Sequence, residues 1–105
     1  MAAAPLNTFK SVTADLTTDE QVLYTAPAQT TAIIILAQVA NVSGANSNVT
    51  FLTSNTEVVD NFAIPASDAA SLIDGKLVVE TGQEVKGFAS ANNQLKITLS
   101  ILETR

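Results

Sequence analysis

The chain contains no histidine, no cysteine and no tryptophan. Most proton shuttles, thiolate nucleophiles and transition-metal sites draw on the first two, so those chemistries lack their usual carriers. Without cysteine there are no disulfides, and stability must come from a packed core. Basic residues are also scarce. Five Lys and Arg stand against ten Asp and Glu, a net charge of −5. Lys10, Lys76, Lys86, Lys96 and Arg105 are scattered, whereas a nucleic-acid backbone asks for clustered cations, so no nucleic-acid partner is expected. The most apolar stretch, Ala32 to Ala37, is far shorter than the ~20 residues that cross a bilayer, and no membrane partner is expected. Met1-Ala2-Ala3-Ala4-Pro5 lacks the basic and long apolar regions of a secretory signal. The expectation is a chain that works in, or is assembled within, a cytoplasm.

What is present is β patterning. A chain of 105 residues is the size of one domain, able to bury roughly 65% of its unfolded surface. From Gln94 to Glu103, Leu95, Ile97, Leu99 and Ile101 share one face, while Lys96, Thr98 and Ser100 share the other. Period 2 would smear these residues around a helix, so the segment reads as a half-buried antiparallel strand. Leu102 is out of phase and available to a neighbour. Thr31 to Val42 is apolar on both faces in its first half, as expected of a strand covered on both sides at the centre of a sheet.

Shorter strands are expected over Gln21–Tyr24, Val49–Thr53, Glu57–Ile64, Lys76–Glu80 and Val85–Ala89. They are separated by turns such as Ala26–Gln29, Ser43–Asn48 and Asp74-Gly75. Ser67 to Gly75 fits a short helix or a strand about equally. About eight strands at roughly ten-residue spacing predict an all-β fold, a single antiparallel β-sandwich or jelly roll. Residues 1–10 are expected to form an extended N-terminal arm, and residues 11–105 the sandwich.

Nearly all of the ten carboxylates fall in predicted turns or at strand ends, where solvation explains them; no catalytic site and no cofactor are expected. Asp15, Asp19 and Glu20 form the densest acidic cluster and are the candidate calcium ligands, but they match no EF-hand loop, so a solvated loop is the ordinary reading. For sugar binding, Tyr24 at a strand end is the candidate aromatic platform, the phenylalanines sitting in core-like contexts. Asn41-Val42-Ser43 and Asn48-Val49-Thr50 match the glycosylation pattern, as chance allows in Asn-rich turns. Candidate partner-contact residues are Pro5, Leu6 and Phe9 on the arm, with Tyr24 and Leu102.

Three stretches carry a family resemblance. Leu23-Tyr24-Thr25-Ala26-Pro27-Ala28-Gln29-Thr30-Thr31-Ala32-Ile33 is the first. Ile64-Pro65-Ala66-Ser67-Asp68 with Gly75-Lys76-Leu77-Val78-Val79-Glu80-Thr81-Gly82 is the second. Ala89-Ser90-Ala91-Asn92-Asn93 running through to Glu103 is the third. From about Glu20 onward the chain resembles small virion proteins of tailed bacteriophages, including phages of marine bacteria and cyanobacteria. Gln29 stands where those relatives commonly have Gly, although Gln does not readily take positive φ.

The resemblance implies a non-enzymatic virion component assembled in the host cytoplasm. A capsid decoration or cement protein bridging shell subunits is the first expectation, and a neck or tail component the second. Its partners would be the major capsid protein, or else neck and tail proteins, together with copies of itself, trimers being one arrangement. The alternative from another class is a sugar- or calcium-binding module for host recognition.

Overall fold

Alternation along the last strand sets the core. Leu95, Ile97, Leu99 and Ile101 are essentially solvent-free, and the residues between them are half-buried or exposed. A computed structural model describes residues 7–105 and contains nine strands. These are β1 (Asn7–Asp15), β2 (Gln21–Thr25), β3 (Thr31–Asn41), β4 (Ser47–Thr53), β5 (Thr56–Ile64), β6 (Ala69–Ser71), β7 (Leu77–Val79), β8 (Glu84–Ala89) and β9 (Leu95–Thr104). Every pairing is antiparallel.

The strands form two sheets. One runs β1-β9-β3-β6, with β7 also paired to β3, and the other runs β2-β8-β4-β5. β7 pairs with Ala32–Ile34 and β6 with Gln38–Ala40, so the two short strands share one edge of β3. Counted as a single interrupted position, they leave eight positions in two facing sets of four. The chain crosses between sheets at every connection except β4–β5 and β6–β7. This is the jelly-roll form of the β-sandwich. The two strands not among the segments firmly expected are β1 and, within the ambiguous segment from Ser67 to Gly75, β6. β6 settles the ambiguous segment as a short strand over Ala69–Ser71 with turns on either side, held by Asn41 N–H to Asp68 O and Leu72 N–H to Ala37 O, both at 2.7 Å.

The core lies between the sheets. Ala32, Ile34, Ala37 and Val39 of β3 and the β9 face meet Val49 and Phe51 of β4, Val85 of β8 and Leu23 of β2 in one buried cluster. β3 is central as expected, between β9 and the β6/β7 edge. It is not covered on both sides. Its register with β9 shifts between Ile34 and Leu36, so Ile35 is an extra residue at a bulge. Ile34 and Ala37 therefore both face the core, while Ile35 turns outward at 40% exposure. No second layer covers the outer face of this sheet among the described residues.

Asn7 to Lys10, assigned to the arm, are the first four residues of β1 and pair with Thr104 to Ile101 of β9. Met1 to Leu6, including the candidate contacts Pro5 and Leu6, lie outside the described residues. Gln29 adopts a φ of 58°, and Thr30 N–H closes the turn on Pro27 O at 3.2 Å. The turn keeps a glycine-like backbone without a glycine. The Asn41 glycosylation match is a buried structural residue: its amide donates to Ala45 O (2.8 Å) and Ile64 O (3.0 Å), tying the β3–β4 turn to the end of β5.

Candidate interaction surface

Strand register places apolar side chains in a row on the outer face of the β1-β9-β3 sheet. Phe9 of β1 is opposite Leu102 of β9, Leu102 is opposite Ile33 of β3, and Ile33 is opposite Val78 of β7. Four strands at the usual spacing make this row about 14 Å long. Phe9 is 75% exposed and Val78 55%, with Ile33 and Leu102 half-buried between them. Asn7, Thr104 and Thr31 flank the row on one side; Ser11, Ser100 and Leu36 flank it on the other. An apolar row bordered largely by small polar residues is what a contact surface presents.

Phe9 and Leu102, two of the candidate contact residues, are thus direct cross-strand neighbours. Ile33 and Val78 complete the row and were not singled out from sequence. The signal was there in part: Val78 is the outward residue of Leu77-Val78-Val79. Only the register, however, shows that it lies level with Ile33.

Tyr24 is placed differently. It is 7% exposed, buried between the sheets, and so is no platform for a sugar. The bulge in the β2–β8 pairing between Val22 and Tyr24 is the reason. It turns Leu23 and Tyr24 inward and leaves Val22 exposed at 50%. The Tyr24 hydroxyl donates to Glu103 Oε2 at 2.5 Å. Lys10 Nζ lies 3.4 Å from the same carboxylate oxygen and 5.9 Å from the centre of the Tyr24 ring. β1, β2 and β9 are therefore joined by one polar cluster. The hydrogen bond from Tyr24 holds Glu103 below the usual carboxylate range, aided by the Lys10 charge and opposed by burial. Burial, with Glu103 as neighbour, pushes the Tyr24 hydroxyl well above its ordinary value.

The exposed aromatics are instead Phe9 and, at 43%, Phe62. They sit on different sheets, in β1 and β5, and do not form a joint platform. The acidic cluster is drawn apart as well. Asp15 Oδ1 meets Lys96 Nζ at 3.1 Å, and Glu20 faces Lys86 at 3.8 Å. Among the described residues no three acidic side chains converge as metal ligands. An open depression beside β1 and β9 is lined by Thr13, Ala14, Asp15, Lys96, Ile97 and Thr98. Its only charged groups are the Asp15–Lys96 pair.

The described residues define an all-β jelly-roll domain with one outward apolar row. No family model matches the chain, and no curated protein matches it. Among solved structures, a chain from work describing Bacillus endospore appendages as a novel family of disulfide-linked pili is similar, with a TM-score of 0.43 and 9% identity over 99% of this chain and 96% of that one.

Proposed function

We propose that this chain is a non-enzymatic structural protein of a bacteriophage virion, a capsid decoration or cement protein that bridges neighbouring shell subunits. The observation that carries the reading is the apolar row Phe9–Leu102–Ile33–Val78, open on a sheet face with no second layer among the described residues. Jelly rolls serve in viral coats and in lectins alike, so the fold does not choose between the two. The aromatic placement favours the coat: Tyr24 is buried and Phe9 extends the apolar row. The resemblance of the turn and strand segments to phage virion proteins points the same way. Repeated by shell symmetry, a modest contact of this kind accumulates into durable attachment.

The test is co-sedimentation with phage particles that lack the protein. Phe9→Ser combined with Val78→Lys removes both ends of the row at exposed positions. The expected result is an unchanged thermal melt with at least a tenfold loss of particle binding, since each well-packed apolar contact is worth about 1–2 kcal/mol. Undiminished binding would remove the row from the interface. Saturation at a few copies per particle would transfer the protein to the neck or tail.

A further inference from the structure

The two sheets have four edges, and three of them are blunted. β6 and β7 are three residues each. β2 has five residues and a bulge. β5 is long, but its pairing with β4 shifts register twice, Asn61 sits at a φ of 52°, and Glu57 and Asp60 place acids along it. Short strands, bulges and charges are the means by which sheets resist edge-to-edge pairing. β1 is neither short nor bulged, and of these defences it carries only charge, in Lys10 and in Asp15 at its end. Its nine residues pair with β9 in unbroken register from Asn7 to Asp15, with no proline and no bulge. Its one central charge is already engaged, because Lys10 is turned to the inner face and held by Glu103 at 3.4 Å. No described strand occupies its other side, which leaves about 30 Å of backbone donors and acceptors open.

We infer that β1 pairs antiparallel with β1 of a second copy about a two-fold axis at Ser11, joining two sheets into one. Centring on Ser11 is the register that uses all nine residues. It sets Asn7 against Asp15 of the second copy, Phe9 against Thr13, and Ser11 against Ser11 on the outer face. On the inner face it sets Thr8 against Ala14 and Lys10 against Val12. No like charges are directly opposed, and Asp15 gains an amide partner. Centring on Lys10 would oppose two lysines, and centring on Phe9 would pair only Asn7 to Ser11. The contact is isologous, so it consumes the free edge of each copy and closes at two. An axis normal to the sheet puts both apolar rows on the same side, giving the dimer two attachment points where a monomer has one. The pairing is independent of the virion reading, since it belongs to the isolated chain.

Sedimentation equilibrium of the full chain and three Ser11 variants tests it. Ser11 is exposed, so Ser11→Lys and Ser11→Glu should fold as the wild type does. Each alone places like charges face to face at the axis, and an equimolar mixture places opposite ones. The wild type is expected to dimerise. Each charged variant should bind itself roughly tenfold more weakly than the two bind each other at low salt. Because the natural chain has no cysteine, Ser11→Cys should oxidise to a covalent dimer, directly opposed strand residues being within disulfide reach. Val58→Cys, on the blunted β5 edge, should not. A wild type that stays monomeric at its solubility limit, a trimer, or dimerisation indifferent to the charge at residue 11 would overturn the inference, whatever the particle-binding result.

Discussion

At the scale of single residues, the most informative positions carry a conformational or electrostatic cost that the surroundings offset. Gln29 holds a left-handed backbone at φ 58°, where a side chain ordinarily costs about 1 kcal/mol or more. Gln29→Gly should stabilise the fold by about 0.5–1 kcal/mol after the added freedom of the unfolded chain, raising Tm by roughly 2–6 °C. A fall in Tm would mean the glutamine side chain stabilises the turn by more than its backbone costs. Glu103 makes a pH-dependent contribution. Its carboxyl is held below the normal range by the Tyr24 hydrogen bond, so its stabilisation is complete above the unfolded-state pKa and is lost as pH falls through the folded-state value. Acidification from pH 5 toward about pH 3 should therefore lower the wild-type Tm more than that of Glu103→Gln. Parallel melting curves would show that the cluster contributes nothing. Tyr24 was readable in the sequence as a strand-end aromatic. Its inward turn was not, because a bulge reverses which face a residue occupies and leaves no mark in the hydrophobic pattern.

At the scale of elements, β9 was legible in full because its neighbours on both sides, β1 and β3, are antiparallel and only one face is packed. Phase along β9 decides burial, and this has a one-residue test. Leu99 is fully buried, so Leu99→Asp leaves an unpaired charge in the core, costs several kcal/mol and should abolish the β-type circular dichroism spectrum. Thr98→Asp, one position away on the outer face, should retain it. Equal tolerance of both would contradict the register. β3 shows what alternation misses. Its apolar run from Ala32 to Ala37 looked like a doubly covered strand, and the bulge at Ile35 instead shares it between core and outer face. β1 is the complementary case: Asn7 to Lys10 have little apolar pattern of their own, and they are strand because β9 is long enough to pair with them.

At the scale of the whole molecule, the jelly roll places an apolar row on one outer face and a long, unbulged edge on the same sheet, meeting at Phe9. The composition pointed toward surfaces rather than chemistry, and the strand rhythm pointed to a sandwich. The position of the surface could not be read from the chain, because Phe9, Ile33, Val78 and Leu102 are brought level only by pairing among four strands far apart in sequence. The proposed function has this sheet face attach the protein to a phage shell. The most direct measurement is an image reconstruction of particles carrying the protein. Copies are expected at every equivalent shell position, with the outer face of the β1-β9-β3 sheet against the shell subunits and Phe9 and Val78 in the contact. Copies absent from the shell, or bound to it through the opposite sheet with that face turned to solvent, would contradict it.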